Sequence, residues 1–150
     1  MTASRGRTAA RGVKFAREVQ LGLRLLTAAA LGVDAVIHLQ LASNYQLAAP
    51  GGIGQGNLFR IEAAAAIVIG LFVLIRGTRI AFAAAFLVAA SAFGAVLLYR
   101  YVHVPAFGPI PSMYEPLWFT KKTVTAVAEG LATVTALAGL LLANQSDPDV

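Results

Sequence analysis

Four long apolar stretches run along the chain, separated by short segments that contain Gly, Pro or charged residues. They cover about residues 21–42, 58–75, 80–101 and 121–143. Each is close to the ~20 residues that a helix needs to cross a hydrocarbon layer of ~30 Å. Lipid offers no partners to backbone polar groups, so elements of this length should be helices. The pattern predicts an all-α membrane protein, a four-transmembrane-helix up-down bundle.

The breaks between the stretches carry strong turn signals. The first loop, SNYQLAAPGGIGQGN, contains Pro50 and four glycines, and Asn57 at its end is a suitable N-cap for the second span. RGTR at residues 76–79 predicts a tight basic turn. The outer loop at residues 102–120 contains prolines that exclude a continuous helix.

Charge sets the predicted orientation. Six of the twelve Lys and Arg residues lie in the basic tail of residues 1–20 or at Arg24, and the RGTR turn faces the same side. By the positive-inside rule, both termini, including the polar tail 144–150, are cytoplasmic. Three cations on the outer side oppose the rule, but the Lys and Arg residues on the cytoplasmic side outnumber them. We expect the basic tail to contact anionic lipid headgroups and not nucleic acid.

Composition narrows the possible chemistry. The chain is 58% apolar and 13% charged, about half the charged fraction of a soluble domain. It has no cysteine, which excludes disulfides, iron–sulfur clusters and thiolate zinc sites. The sequence identifies no cofactor.

Polar residues gather at one end of the predicted bundle. Up-down connectivity places the ends of spans one and three and the starts of spans two and four on one side of the bilayer. Ionisable residues in spans usually face the bundle interior, so we predict a polar cavity in the outer half. The candidates for ligand binding or proton handling are Asp34, His38, Arg60, Glu62, Arg100, His103, Lys121, Thr125 and Glu129.

Spacing supports this prediction. Asp34 and His38 are four residues apart, hence on one helix face, where a carboxylate can orient an imidazole. Small residues follow Glu62 on its own face, which indicates that Glu62 faces a neighbouring helix. A polar stripe along the fourth span consists of Lys121, Thr125 and Glu129.

Two interpretations of these residues remain open. In one, Arg60, Arg100 and the lysines neutralise the carboxylates and fix the helix register. In the other, the residues form a site for a small molecule, a proton or a metal ion. Two His with Asp and Glu would suit zinc, iron or manganese, but no HxxxH, ExxH or HxH pair is present. We therefore predict no metal ligand and no haem, and no hydrolase motif indicates a catalytic residue.

The outer loop is rich in aromatic residues. They form either an interfacial aromatic belt or a lid over the cavity. We expect Glu115 to form a surface ion pair with Lys121 and Lys122. The lid or interface candidates are Tyr99, Tyr101, Tyr114, Glu115 and Trp118.

Three segments, GNLFRIEAAAAIVIGL, LLYRYVHVPAFGPIPSMYEPLWFTKK and AVAEGLA, carry a resemblance. Together they resemble a family of small four-span bacterial integral membrane proteins with an LFR-x-[EQ]-A start to span two and a GP-[IL]-P-x-MYEP loop. The match covers most of residues 30–140, and the loop is its most specific part. The position of His103 is often acidic in that family, so the chain departs from it there. The resemblance implies the architecture and no activity; a likeness to DoxX-type proteins is architectural only.

These observations favour a non-enzymatic role. We expect an accessory or binding subunit of a larger membrane assembly in the bacterial cytoplasmic membrane. Its partners would be membrane lipid and other membrane subunits or copies of itself, because Ala- and Gly-rich spans pack closely against helices. The alternatives are a small proton-coupled carrier and an outer-leaflet enzyme of lipid or quinone chemistry. Both would use Asp34, His38, Glu62 and Glu129.

Overall fold

The protein is a bundle of α-helices. The computed structural model describes residues 2–48, 53–108 and 110–143, with side chains described over 12–46, 53–108 and 110–143. These ranges contain four helices: α1 Thr2–Ala48, α2 Gln55–Arg76, α3 Arg79–Tyr101 and α4 Thr120–Ala143. All four are long and apolar enough to cross a membrane. The predicted all-α architecture is confirmed, and the chain is a multi-pass membrane protein.

Helix α1 is much longer than the span predicted at residues 21–42. It begins in the basic tail, and it continues through Ser43 and Tyr45 to Ala48 because no Gly or Pro lies between Gly32 and Pro50. The prediction that Asn57 caps α2 is wrong. Helix α2 begins at Gln55, so Asn57 lies in its first turn and accepts a 2.7 Å hydrogen bond from Arg60.

The four helices form a closed ring. Helix α1 packs against α2 and α4, and α3 packs against α4 and α2. Small residues dominate the core and let the helix backbones approach closely. Phe82 is the largest fully buried side chain, and its ring lies against Gly139 of α4. Most large aliphatic side chains of the helices are exposed on the outside, as expected for a surface that faces lipid.

The turn between α2 and α3 is fixed by α1. Gly77 ends α2 in the left-handed conformation, with φ 57°, and its N–H donates to the carbonyl oxygen of Val73 at 2.9 Å. The Arg24 guanidinium also donates to the carbonyls of Val73, Leu74 and Ile75, at 3.3 Å for Val73 and 2.9 Å for Ile75. A cation is favourable there because the end of a helix carries unpaired carbonyl groups.

The loop between α3 and α4 folds back on itself. Val104 and Met113 exchange two backbone hydrogen bonds of 3.0 and 2.9 Å, and Phe107 and Ile110 exchange two of 3.0 Å. These antiparallel bridges bring residues 104–107 alongside residues 110–113, as in a short hairpin. We call the side of the bundle that carries this loop the loop side, and the opposite side the turn side.

Close approach of α1 and α2 requires glycine at position 56. A Cβ there would lie 2.1 Å from the carbonyl oxygen of Ala42 and 2.6 Å from Cβ of Gln46. Gly56→Ala should therefore force the two helices apart and destabilise the protein by about 1–3 kcal/mol. The measurement is reversible unfolding of the purified protein in mixed detergent micelles, followed by circular dichroism.

Gly94→Ala is the matched control. A Cβ at this exposed helical position meets nothing within 4 Å, so stability should be unchanged or slightly higher. Equal stability of the two variants would contradict the close approach.

Candidate functional site

A cavity of about 360 Å³ lies on the loop side, between the helix ends and the loop. This volume is in the range of small-molecule sites. All four helices and the loop contribute to its mainly apolar walls. Aromatic and apolar lining residues include Tyr45, Phe59, Ala92, Ala95, Tyr99, Met113, Tyr114 and Phe119. The polar lining residues include His38, Gln55, Glu62, Glu115, Lys122 and Thr125.

A buried polar cluster lies beside the cavity, between α1 and α4. Asp34 Oδ1 accepts a 2.5 Å hydrogen bond from the Thr125 hydroxyl and lies 2.9 Å from Nδ1 of His38. Asp34 and Glu129 are each 1% exposed, and His38 is 8% exposed. Donor atoms of Asp34, His38 and Glu129 all lie within 4.8 Å of one another. Asp34 and His38 are in contact, as their spacing of four residues on α1 predicted. Helix α4 contributes Thr125 and Glu129.

Several carboxylate oxygens in this region lack hydrogen-bond donors. Within the described residues, no N–H or O–H donates to either side-chain oxygen of Glu129 or to the buried Oε1 of Glu62. No Lys or Arg of the described side chains forms an ion pair within 4.0 Å of Asp34, Glu62 or Glu129. The neutralising ion pairs that the first sequence interpretation expected therefore do not form here.

A second polar layer lies closer to the turn side. The Thr27 hydroxyl donates to Thr135 Oγ1 at 2.9 Å, and both residues are buried. The pair joins α1 to α4, as Asp34 and Thr125 do. Sequence analysis missed this contact because each threonine is isolated in an apolar stretch and their positions differ by 108 residues.

Glu115 ties the loop to three helices. Its carboxylate Oε2 accepts a 3.1 Å hydrogen bond from the Tyr45 hydroxyl of α1, and its backbone carbonyl accepts one from the Lys122 ammonium of α4. Its backbone N–H donates to the carbonyl oxygen of Tyr99 in α3 at 2.9 Å. The Lys122 ammonium also lies 5.3 Å from the centre of the Trp118 ring, a cation–π distance.

These contacts correct two expectations. Glu115 forms no ion pair with Lys121 or Lys122 within the part of the chain that the structure describes, because Lys122 bonds the backbone carbonyl and Lys121 is exposed. Tyr45 was missed because the sequence placed it in the first loop. Tyr45 could have been found from its position seven residues after His38, because residues seven apart lie on the same face of a helix.

The structure separates the remaining candidates into two groups. Candidates that line the cavity or join the buried cluster are Asp34, His38, Glu62, Thr125, Glu129, Tyr99, Tyr114 and Glu115. Those absent from the cavity lining and the cluster are Arg60, Arg100, His103, Lys121, Tyr101 and Trp118. His103 is exposed, and its Nε2 lies 2.8 Å from the Ser112 hydroxyl in the loop. The half-buried Arg100 lies over the Tyr101 ring, 5.2 Å from its centre, and Tyr101 is 70% exposed.

Fold and site together define a class: a small multi-pass helical bundle with a cavity on one side. Comparison of the chain with known protein families, curated proteins and solved structures finds no significant match. The resemblance described above stays a prediction.

The contact between Thr125 and Asp34 should contribute to stability. Thr125→Val removes the hydroxyl donor and leaves the buried Asp34 Oδ1 with His38 Nδ1 as its remaining neighbour, which should cost about 1–3 kcal/mol. Thr125→Ser should recover most of the loss. The measurement is unfolding in mixed micelles.

Thr123→Val is the control, because Thr123 is exposed two residues away on α4 and its hydroxyl bonds only the Phe119 carbonyl among the described contacts. It should change stability little. A loss as large as that of Thr125→Val would show that the Asp34 contact is not the cause.

Proposed function

We propose that this protein is a membrane-embedded binding protein that takes up the ring-shaped head of a quinone-like amphiphile in the loop-side cavity. The observation that carries the proposal is the cavity itself: it is mainly apolar, has aromatic walls, and includes a few hydrogen-bonding groups in its lining. Ligand sites commonly combine an apolar lining with a few placed polar groups.

The chemistry of the lining favours a neutral ring over an anionic headgroup. A phosphate would need cations, but Lys122 is the one Lys or Arg among the described lining residues, and its ammonium bonds the Glu115 carbonyl. The lining also includes two carboxylates, Glu62 and Glu115, which would repel an anion. A quinone-like ring instead presents two carbonyl acceptors and flat faces that suit the aromatic walls.

An apolar tail could enter and leave between α2 and α3. These two helices pack less closely than the other neighbouring pairs, and both contribute cavity residues. Ile61 lines the cavity and is 61% exposed, so this wall reaches the outer surface of the bundle. A molecule already dissolved in the membrane would reach the cavity without crossing water.

We further propose that the loop side faces outward in a bacterial cytoplasmic membrane. The basic start of α1 and the RGTR turn support this orientation through the positive-inside rule. Membership of a larger assembly stays a prediction of the sequence. The exposed apolar side chains along the helices suit lipid and a neighbouring helix equally.

Filling the cavity should abolish binding. Ala95 lines the cavity on α3, and Ala95→Phe would occupy space that the ring needs. The probe is an isoprenyl benzoquinone that carries a photoreactive group, cross-linked to the purified protein in lipid nanodiscs. Ala95→Phe should lower labelling by about tenfold or more, equivalent to ~1.4 kcal/mol of binding free energy.

Ala64→Phe is the matched control, because Ala64 is exposed and does not line the cavity. Its labelling should equal that of the parent chain, and unlabelled quinone should compete in both. Undiminished labelling of Ala95→Phe, or equal competition by added phospholipid, would exclude the proposed ligand class.

A further inference from the structure

We propose that Asp34, His38 and Glu129 form a binding site for one divalent transition-metal ion of the zinc, manganese or iron class. This inference does not depend on the proposed quinone-like ligand. It concerns a buried cluster between α1 and α4, whereas the proposed ligand occupies the cavity beside it.

Geometry is the first argument. One nitrogen or oxygen donor from each of the three residues lies within 4.8 Å of the other two. Ligands about 2.0–2.2 Å from a shared ion are separated from each other by up to ~4.4 Å, so small side-chain rotations would complete the site. Asp34 Oδ1 and His38 Nδ1 are 2.9 Å apart, which is a hydrogen-bond distance, so an ion bound to both atoms would replace the proton between them.

The unpartnered Glu129 side chain is the second argument. Glu129 is 1% exposed, and neither of its oxygens accepts a hydrogen bond from an N–H or O–H donor of the described residues. A buried carboxylate without a partner is costly, and buried charges are normally paired or bound to metal. No described Lys or Arg lies within ion-pair distance of it. A bound cation would supply the missing partner.

The surroundings resemble the supporting shell of a metal site. The Thr125 hydroxyl donates to Asp34 Oδ1, and such hydrogen bonds orient ligating carboxylates. The His38 and Phe59 rings pack in a T-shaped arrangement, with centroids 5.2 Å apart and planes 80° apart, which restrains the imidazole plane. Glu62 lies outside this group of three ligands, but it lines the cavity with His38 and its Oε1 is buried without a hydrogen-bond partner among the described residues.

The donor set selects the kind of ion. One imidazole nitrogen with two carboxylates is a mixed nitrogen and oxygen set, which suits zinc, iron and manganese. Calcium and magnesium favour all-oxygen sites, and copper(I) favours sulfur. The proposal departs from the expectation of no metal ligand, which rested on the absence of a paired-ligand motif. Here one ligand comes from α4, 91 residues beyond the nearer ligand on α1.

The metal content of the 150-residue chain tests the site. Protein purified in detergent is stripped with a chelator and titrated separately with Zn²⁺ and Mn²⁺ by calorimetry, and bound metal is counted by mass spectrometry. We expect one ion per chain. Glu129→Gln should weaken binding by more than the ~10–100-fold that loss of a supporting residue costs.

Two further variants make the result specific. Glu18→Gln changes an exposed acid of α1 that pairs only with Lys14 among the described contacts, and it should bind metal as the parent chain does. Because Glu129→Gln could also fail through misfolding, the Co²⁺ absorption spectrum of folded Glu129→Asp is compared: a shifted but present d–d band supports direct ligation.

Two results would overturn the proposal. One is the absence of stoichiometric binding by the parent chain, and the other is equal affinity in folded Glu129→Gln. Either would leave Asp34 and Glu129 as a pair that shares a proton. Ala95→Phe should keep its metal, since Ala95 is outside the cluster, so failure of quinone labelling and failure of metal binding are separate outcomes.

Discussion

The burial of acidic side chains between α1 and α4 constrains the rest of this structure. Hydrocarbon offers no partner to a carboxylate, so Asp34 and Glu129 must face the bundle interior, where other protein groups can reach them. Helices α1 and α4 are the first and last of the four helices in the described residues, and their contact closes the ring. Two polar layers mark this contact: Asp34 with Thr125, and Thr27 with Thr135. The polar contacts thus fix the rotation of both helices about their axes.

Packing divides the bundle into two different halves. Toward the turn side, small residues allow the helices to pack around the ring of Phe82. On the loop side, small residues of α3 such as Ala92 and Ala95 leave the cavity open, and the loop lies over it. Glu115 holds the loop there through contacts to α1, α3 and α4. The same use of small side chains therefore gives close packing on one side and space on the other.

His38 links the two proposed activities. It belongs to the buried cluster through its contact with Asp34, and it also lines the cavity. In the proposed arrangement, a cation held by Asp34, His38 and Glu129 would lie next to the head of a bound ring. Its positive charge would polarise a carbonyl group of that ring, because charges act strongly where water is excluded. The cluster would then add electrostatic selectivity to a cavity whose walls are mainly apolar.

The apolar pattern by itself determined the four helices and their alternating direction. This follows because a membrane-spanning segment must be apolar over a fixed length and must form all its backbone hydrogen bonds within the protein. The pairing of Asp34 with His38 was equally predictable, since a spacing of four residues puts two side chains on one helix face. Alternation of the spans also predicted that the acids of α1, α2 and α4 lie on one side.

Tertiary structure alone decided which polar groups meet. The sequence could not show that Thr125 bonds Asp34, or that Tyr45 reaches Glu115, because these contacts join residues 91 and 70 positions apart. The sequence placed Arg60 among the site residues because of its predicted depth in the membrane. Depth does not determine how a helix is rotated about its axis, and Arg60 is exposed. Whether a Lys or Arg side chain reaches Glu129 likewise depends on the packing of the helices. Local spacing fixes the face of a helix, and only packing fixes what that face touches.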